Sequence, residues 1–356
     1  MKVLYDYQIF SVQKFGGISR YFYEIMKGVD SEIFLIFNQN AYLEGKGLKI
    51  KRNFRIKTKI FNILNRLFTE VNLPLKKYDI FHPTYYNPYF IDRIDSPFVL
   101  TIHDMIHEKF PEYFSKNDKT SRWKRELAKK ANRIIAVSHQ TKQDIIDILD
   151  IPANKIDVVY HGSDFDLIKE DENFTNILPE KYILYTGNRE HYKNFTNFIK
   201  ASYKLLNNDN NLFILCAGGG TFNNKEIELF QKLKINRQLI QYQCNDEQLK
   251  SLYRNSLFFV FPSLYEGFGI PLLEAMACKI PILCSNISCF PEIVQNSALT
   301  FNPYSIEDMK QKLEFAVDNN LENYVENATK RFQEFSWDKA RYETNLVYKK
   351  IYDIEH

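Results

Sequence analysis

The chain has 356 residues, a length that favours two domains of about 100–200 residues each. Charged residues make up 26% of it and apolar residues 45%, which is typical of a folded globular protein and excludes intrinsic disorder. The 47 basic and 44 acidic residues leave a net charge of only +3, so the composition predicts no nucleic-acid partner.

Short apolar runs alternate with segments of helical period along the first half of the chain. The predicted strands, in chain order, are KVLYDY, IFLIF, YDIFH, FVLTIHD, RIIAVS and KIDVVYHG. Helices are predicted at GISRYFYEIMKG, SRWKRELAKKANR and SHQTKQDIIDIL, the last with Ser138 as its N-cap. Strands that alternate with helices predict an α/β fold with parallel sheets.

A polar, acidic stretch, SDFDLIKEDENFTNILPEK, separates this half from a second series of strands. That series comprises YILYTGN, LFILCAGGG, QLIQYQ, LFFVFPS and PILCS. We therefore predict one domain over residues 1–169 and a second over residues 170–335, with a cleft between their two sheets. A last helix, at residues 336–356, could lie across either domain, including a return to the first.

One segment of the first domain is strongly basic. From Lys46 to Lys77, both included, the chain has ten lysines and arginines, and Glu70 is the one acid among them. They are interleaved with apolar residues, namely Ile56, Ile60, Phe61, Ile63, Leu64, Leu67 and Phe68. This pattern fits contact with an anionic membrane surface, and it equally fits a solvated helix that packs its apolar face on its own domain.

The cysteines and the N-terminus bear on location. The five cysteines lie in the second half of the chain without the spacing of a disulfide framework or a zinc site. The N-terminal run MKVLYDYQIF is short, and no stretch of about 18 apolar residues occurs. These features predict a cytoplasmic protein that is neither secreted nor membrane-spanning.

Two carboxylates mark the segment SLYEGFGIPLLEAMAC in the second half. The run SLFFVFPS predicts a strand, LYEGFG a loop, and Pro271 the start of a helix. Free N–H groups at that start, with those of Gly267–Ile270, suit a diphosphate. Glu266 and Glu274 would then accept hydrogen bonds from hydroxyls of a sugar nucleotide. Alternatively, Glu266 is a solvated loop residue and Glu274 is an acid that complements the dipole at the helix start. A third interpretation is that the two carboxylates form the acid/base pair of a hydrolase.

The first half offers two further candidates. Gly16 and Gly17 follow the first predicted strand and precede a helix, where a backbone without side chains closely approaches phosphates. His103 and Asp104 end the run PFVLTI, at the carboxyl end of a strand, where ligands bind in open α/β sheets. Taken alone, the glycines also fit a tight turn, and His103 also fits a packed or capping residue.

The run SLYEGFGIPLLEAMACKIPILCSNISCFPEIV resembles the E-x7-E region of retaining glycosyltransferases of family 4, which have the GT-B fold of two Rossmann-like domains facing a cleft. The resemblance covers nearly the whole chain, and its glycine loop and TIHDMIHEKFPEYF look most like the mannosyltransferase branch. The other similar motifs are FGGISRYFYEI, YDIFHPTYYNP, IIAVSHQTKQDI, VVYHGSD, YTGNREHYKNF and CNDEQLKSLYRNSLFFVFPSLYEGFG.

The resemblance implies that residues 1–169 form the acceptor-side domain and residues 170–335 the nucleotide-sugar donor domain, and it implies roles for residues of the second. Glu266 would contact the donor sugar and Glu274 the ribose hydroxyls. Amides around the loop that ends the strand would hold phosphate and sugar, at Gly267, Phe268, Gly269 and Ile270. Arg189 and Lys193 are the candidates for the family's cationic diphosphate clamp.

It also implies roles for the first domain. Gly16 and Gly17 would approach the donor phosphates, and His103 would face the donor sugar. Four positions are predicted to line the acceptor side or lie next to it, namely His82, Tyr85, Tyr86 and Asp104.

The chain departs from the family pattern at two positions. Many relatives have an arginine where Tyr192 stands, which leaves the identity of the clamp arginine open. The usual glycine of EAMA-x-G-x-P is Lys279, which is expected to alter the end of the helix.

The resemblance implies a retaining, metal-independent transfer of a hexose to a glycan or lipid-linked glycan in surface polysaccharide synthesis. The first candidate for the hexose is mannose, donated by GDP-mannose. Location would be the cytoplasm or the inner face of the membrane. A UDP-sugar transferase, a nucleotide-sugar epimerase and a non-enzymatic binding module stay open as alternatives. A nicotinamide oxidoreductase is disfavoured, because no G-x-G-x-x-G follows the first strand.

Overall fold

The computed structural model of the protein describes residues 1–43, 48–49 and 58–355. The chain forms two compact units: unit 1 comprises Met1–Gly162 with Trp337–His356, and unit 2 comprises Ser163–Ser336. Unit 2 thus begins with the acidic stretch SDFDLIKEDENFTNILPEK, whereas the sequence places the boundary inside it, between residues 169 and 170.

The strands are β1 Lys2–Tyr5, β2 Asp30–Ile33, β3 Phe37–Asn38, β4 Leu48–Lys49, β5 Ile80–His82, β6 Val99–Ile102, β7 Arg133–Ala136, β8 Ile156–Val158, β9 Tyr182–Thr186, β10 Phe213–Ala217, β11 Leu239–Tyr242, β12 Phe258–Phe261, β13 Ile282–Ser285 and β14 Leu299–Phe301. The helices are α1 Gln8–Val12, α2 Gly17–Met26, α3 Thr58–Asn72, α4 Ile106–Lys109, α5 Thr120–Lys130, α6 His139–Leu149, α7 Glu172–Thr175, α8 Phe195–Asn208, α9 Asn224–Leu233, α10 Asp246–Arg254, α11 Ile270–Cys278, α12 Phe290–Val294, α13 Ile306–Asp318, α14 Glu322–Phe332 and α15 Trp337–Glu355. Single 3-10 turns occur at Leu73–Leu75, Pro111–Tyr113, Ala153–Lys155, Phe165–Leu167 and His191–Lys193.

Unit 1 contains two three-stranded parallel sheets, in the orders β2-β1-β5 and β6-β7-β8. A parallel bridge between Phe81 and Phe98 links β5 to β6. The inner strands β1, β5, β6 and β7 are buried at nearly every residue, as parallel sheets covered by helices require, whereas the edge strands β2 and β8 are partly exposed. The carboxyl ends of β1, β5 and β6 lead to the three segments that carry the predicted site residues of this unit.

Helix α15 completes the core of unit 1. It packs against α2 and β7, and its Val347, Tyr348 and Ile351 are buried among residues of β1 and α2. The Tyr348 hydroxyl lies 2.7 Å from the Tyr5 hydroxyl. The C-terminal helix is therefore an integral part of the first unit.

Unit 2 contains one six-stranded parallel sheet in the order β11-β10-β9-β12-β13-β14. Sequence analysis predicted its first five strands and missed β14. From β9 the chain adds β10 and β11 on one side of the sheet and then crosses over to add β12, β13 and β14 on the other side. The switch point of the sheet therefore lies between the neighbouring strands β9 and β12. Such a switch point opens a crevice at the carboxyl ends of the two strands.

The predicted strand IFLIF is wrong in part, because the structure breaks it between Ile33 and Phe37. The side chain of Asn65, on α3, accepts the backbone N–H groups of Ile36 and Phe37 at 3.0 and 2.9 Å. These donors are therefore satisfied by a side chain. The predicted cap of α6 is confirmed, since the Ser138 side chain accepts the N–H of Thr141.

Candidate active site

The carboxyl ends of β9 and β12 form the candidate donor site of unit 2. β9 continues into the loop that carries Lys193, and β12 continues into the loop that carries Glu266. The two strands are direct neighbours in the sheet, with Leu184 opposite Phe259. Residues that are 73 positions apart in sequence are thus brought to the switch point.

Lys193 and Glu266 form an ion pair at this point. Lys193 Nζ lies 2.5 Å from Glu266 Oε1, and the two side chains are 17% and 13% exposed. The ammonium also lies over the rings of Tyr192 and Phe261, at 5.3 and 5.6 Å from their centroids. These contacts give Lys193 a defined position while leaving it accessible to a ligand.

Backbone hydrogen bonds fix the two loops against each other. The N–H of Leu264 donates to the carbonyl of Tyr192 at 2.7 Å. The Ser288 hydroxyl donates to the carbonyl of Glu266 at 2.8 Å and accepts its N–H at 3.2 Å. Asn194, in a left-handed conformation, donates its amide to the carbonyl of Pro262. The site is thus held before any ligand binds.

Helix α11 begins at Ile270, as predicted from Pro271. Its N-cap, Gly269, has φ +94°, and a Cβ there would lie 3.1 Å from Leu272 Cδ1. Only glycine fits this turn without strain. Gly267 and Phe268 precede it and are buried, and the Phe268 carbonyl accepts from Cys289 Sγ at 3.2 Å. The predicted loop therefore directs the positive end of α11 toward the carboxyl edge of the sheet.

Glu274 lies in the second turn of α11 and is half-buried. The Tyr253 hydroxyl, from α10, donates to Glu274 Oε2 at 2.9 Å. Tyr253 is buried, and burial together with the Glu274 charge raises its pKa well above the usual value, so it stays a donor. Sequence analysis did not identify Tyr253, because nothing in the chain marks a tyrosine that is 21 residues away as the partner.

Arg189, the other predicted clamp residue, forms an ion pair within unit 2. Its Nε donates to Glu226 Oε1 at 2.7 Å, and its two other nitrogens donate to the carbonyls of Gly218, Gly220 and Thr221. The side chain is buried and holds the glycine loop that follows β10. In this structure Arg189 therefore supports that loop, and its role as a diphosphate clamp stays a prediction. Lys193 is the predicted clamp residue that contacts Glu266.

Gly16 and Gly17 lie at the start of α2 in unit 1. Gly16 is the N-cap and Gly17 the first residue of the helix. A Cβ on Gly16 would lie 2.4 Å from Gln13 Oε1, and that oxygen accepts the N–H of Ser19 at 3.1 Å. A side chain on Gly16 would therefore displace the Gln13 side chain and cost this hydrogen bond, and the predicted approach to phosphates stays a prediction.

His103 lies at the carboxyl end of β6 and is 8% exposed. Its ring stacks on that of His161 at 5.8 Å and meets Tyr21 edge-on at 5.1 Å. Burial lowers its pKa to about 3, so the ring is neutral at neutral pH. Within the described residues, its buried Nε2 has no hydrogen-bond partner. A neutral nitrogen of this kind suits a hydrogen bond to a ligand hydroxyl.

His82 does not fit its predicted place on the acceptor side. It is fully buried, with Nδ1 2.6 Å from the Tyr348 hydroxyl and Nε2 2.9 Å from Thr101 Oγ1. Burial lowers its pKa to about 3. Both ring nitrogens are occupied inside the core, so we correct its assignment to a structural role.

The other predicted acceptor residues lie together after β5 and β6. The rings of Tyr85 and Tyr86 are 4.7 Å apart, and the Tyr86 hydroxyl accepts the N–H of His103. Burial and the charge of Asp104 raise the pKa of Tyr85 to about 12. Lys124, fully buried, donates to the carbonyl of Asp104 at 2.8 Å. Tyr85 and Asp104 keep part of their surface open, whereas Tyr86 is buried behind His103.

The described residues contain neither a metal-binding cluster nor a membrane-spanning helix. In the part of the chain that the structure describes, no group of three or more His, Cys, Asp or Glu side chains is arranged to hold a metal ion. Over the same residues, no helix has the length and apolar character that crossing a bilayer requires.

Two sequence models of known families together match most of the chain. The one described as "Glycosyltransferase Family 4" matches residues 15–167, and "Glycosyl transferases group 1" matches residues 168–331. The chain belongs to glycosyltransferase family 4. The resemblance seen in the sequence is confirmed, and membership of family 4 favours a transferase over the epimerase and the binding module.

Relatives in family 4 include several mannosyltransferases. The chain is 29% identical over 291 residues to O-antigen chain mannosyltransferase B of Escherichia coli, covering 76% of this chain and 74% of that protein. It is 30% identical over 210 residues to O-antigen chain mannosyltransferase RfbU of Salmonella typhimurium, covering 57% and 56%. These names agree with the branch that the glycine loop predicted.

Solved structures confirm the GT-B fold. A sucrose-phosphate synthase from Thermosynechococcus elongatus matches 99% of this chain and 100% of its own, with a TM-score of 0.77 and 15% identity. Anabaena HepE, solved with UDP and glucose, matches 98% and 100% with a TM-score of 0.77 and 16% identity. At these identities the likeness concerns the fold alone.

Proposed function

We propose that this family 4 enzyme transfers mannose from GDP-mannose, with retention of configuration, to a glycan or lipid-linked glycan in surface polysaccharide synthesis. The observation that carries the proposal is the contact of Lys193 with Glu266 at the switch point of unit 2. In the proposal, Lys193 is the cation that binds the diphosphate, and Glu266 accepts hydrogen bonds from sugar hydroxyls. The O-antigen mannosyltransferases among the relatives support the choice of sugar and pathway.

In the proposed reaction, the acceptor oxygen bonds to the anomeric carbon on the face from which the nucleoside diphosphate leaves. The bond between that carbon and the β-phosphate oxygen breaks, and the acceptor proton passes to the leaving phosphate. Bond formation and cleavage on one face retain the configuration. No side chain acts as a covalent nucleophile in this scheme, so the protein contributes positioning and charge stabilisation.

The residues then have distinct roles. Lys193 and the N-terminus of α11 stabilise the charge that develops on the diphosphate, so the proposed reaction needs no divalent metal. Glu266 positions the sugar, and Glu274 accepts hydrogen bonds from the ribose.

The unpaired Nε2 of His103 contacts a sugar hydroxyl. Tyr85 and Asp104 lie on the acceptor side. The reaction takes place in the cytoplasm.

A donor screen tests the proposal. The full chain is incubated with GDP-mannose and with UDP-glucose, UDP-galactose and UDP-N-acetylglucosamine, and the released nucleotide is measured with and without EDTA. We expect GDP from GDP-mannose at a rate that EDTA does not change. Release of UDP instead would overturn the donor assignment, an isomerised sugar nucleotide would identify an epimerase, and no release from any donor would contradict the transferase.

The Lys193→Met variant gives the same screen a residue-level readout. Loss of the cation should lower the rate of GDP release by about a hundredfold or more. Lys232→Met is the matched control, because Lys232 is an exposed lysine on α9 of the same unit. Equal rates for Lys193→Met and the control would remove Lys193 from the site.

A further inference from the structure

Helix α3 exposes a continuous apolar stripe. Five of its residues, spaced at helical intervals, are 46%, 56%, 40%, 52% and 64% exposed, in the order Ile60, Ile63, Leu64, Leu67 and Val71. Leu75 follows in the next turn and is 75% exposed. Spacing of this kind puts the side chains on one face. We call the residues from Ile60 to Val71 the α3 stripe.

The opposite face of α3 is fixed to unit 1 by polar as well as apolar groups. Asn65 and Thr69 are fully buried, and the Asn65 amide donates to Ser11 Oγ at 2.9 Å and to the carbonyl of Phe37 at 3.0 Å. Phe61 packs on Phe37, with ring centroids 4.9 Å apart. The helix thus buries an amide and a hydroxyl while it exposes leucines and isoleucines. The contacts with unit 1 cover this opposite face of α3. No described residue covers the stripe.

The charge around the stripe indicates what covers it. The segment from Lys46 to Lys77 carries ten basic residues against Glu70, a net charge of +9, although the whole chain has +3. Seven of the ten come before residue 60 and lie outside the described side chains, so their charge is known from the sequence alone. Glu70 is itself paired with Arg66 and Arg93, at 2.6 and 3.3 Å. The segment of sequence that contains the stripe is therefore strongly basic, which favours an anionic partner.

We propose that the α3 stripe docks on an anionic membrane surface. An exposed apolar face beside excess basic charge is the pattern of a helix that lies in the plane of the interface, with its apolar side chains in the acyl boundary and its cations among the headgroups. The proposal concerns α3 alone and holds whatever donor or acceptor unit 2 uses.

Vesicle flotation of the full chain tests the proposal without donor or acceptor. The vesicles are phosphatidylcholine alone, or phosphatidylcholine with phosphatidylglycerol, at low and physiological salt. We expect binding to the anionic vesicles that weakens with salt, and little binding to the neutral ones. Absence of binding to anionic vesicles at low salt would overturn the proposal.

The double variant Leu64→Ser with Leu67→Ser should lower the vesicle partition coefficient about tenfold or more, because two exposed leucines lose their burial in lipid. Leu167→Ser with Ile177→Ser is the matched control, since these residues are 77% and 67% exposed in unit 2. Unchanged far-UV circular dichroism verifies that both variants fold.

Three other outcomes of the double variant would count against the stripe. Vesicle binding equal to that of wild type would assign membrane contact to the basic charge alone. A wild-type dimer in light scattering that the variant abolishes, without vesicle binding, would identify a second copy as the partner. A loss of thermal stability in the variant without any vesicle binding would show that residues 44–57 of the same chain cover the stripe.

Discussion

Tyr253 decides how Glu274 is presented to a ligand. A carboxylate on a helix samples several rotamers, and the hydrogen bond of 2.9 Å from Tyr253 selects one of them. The same hydroxyl lies 3.2 Å from Thr186 Oγ1, at the end of β9. The tyrosine therefore connects the helix that carries Glu274 to the strand that leads to Lys193, and it is a positioning residue in our proposal.

Tyr253→Phe should raise KM for the sugar-nucleotide donor about fivefold to tenfold with a smaller change in kcat, since one hydrogen bond of about 1 kcal/mol is lost. Steady-state kinetics measures both constants. Tyr182→Phe is the matched control, because the buried Tyr182 hydroxyl donates at 2.8 Å to the carbonyl of Leu252, which is next to Tyr253. A similar KM for the two variants would show that Tyr253 acts only on stability.

His82 should make unit 1 less stable in acid. Its pKa of about 3 in the fold lies below the ordinary value of 6.5, so the unfolded chain binds the extra proton. Its contribution to stability is thus fully present above pH 6.5 and is lost as the pH falls toward 3, by about 3 kcal/mol at pH 4.5.

Urea unfolding at pH 7 and pH 4.5 measures this loss. His82→Gln should narrow the difference in unfolding free energy between the two pH values, and His139→Gln, at an exposed histidine, should leave it as in wild type. A His82→Gln protein with the full wild-type difference would refute the linkage to His82.

Sequence analysis reached some of these residues and not others for a physical reason. Glu266, Gly269 and Glu274 belong to one short strand, loop and helix segment, where local rules fix the geometry. Arg189 had two possible partners, a ligand or an acid elsewhere. Its carboxylate partner, Glu226, is 37 residues away, and only the folded sheet shows that they meet.

At the scale of elements, α11 ends on a strained residue. Lys279 is the C-cap, with φ 56° and ψ 48°, in the left-handed region that glycine adopts most easily. The family pattern has a glycine here, and the sequence raised the question of how the helix ends. The structure answers that the helix keeps the usual left-handed cap and tolerates a lysine in it.

Lys279→Gly should stabilise unit 2 by about 1 kcal/mol, because it removes the Cβ from a left-handed position. Urea unfolding followed by circular dichroism measures the gain. Lys279→Ala is the control, since alanine removes the charge and keeps the Cβ, and it should give no comparable gain. A gain as large in Lys279→Ala would attribute the effect to charge.

The elements themselves were predictable where the apolar pattern was long. β9, β10 and β12 are runs of buried residues with glycine, proline or serine after them, and each lies where the sequence predicts a strand. β14 is only three residues long, Leu299–Phe301, and has too little pattern to detect. The break in IFLIF depends on Asn65, which comes from another element and is invisible to local rules.

At the scale of the whole molecule, both tryptophans report on the same unit. Trp123 lies on α5 and Trp337 starts α15, and both elements belong to unit 1. Each unit has a hydrophobic core of its own. Tryptophan fluorescence should therefore follow unfolding of unit 1, whereas circular dichroism follows both units.

Tyr348→Phe should lower the stability of unit 1 by about 2–3 kcal/mol, because Tyr5 and His82 each lose a buried hydrogen-bond partner. The urea midpoint from tryptophan fluorescence gives the change. Tyr342→Phe is the control on the same helix, since Tyr342 is 66% exposed. If the fluorescence midpoints of both variants equal that of wild type, α15 does not support unit 1 through this network.

The return of α15 to unit 1 has a consequence for synthesis on the ribosome. Unit 2 is one continuous stretch, Ser163–Ser336, and all of it leaves the exit tunnel before α15 does. Unit 1 starts first, yet the pocket around Tyr5 and Phe22 lacks Val347 and Tyr348 until α15 has been made. Unit 2 can therefore be complete before unit 1, although translation starts with unit 1. Until α15 is made, the first unit has an incomplete core whose exposed apolar surface favours aggregation.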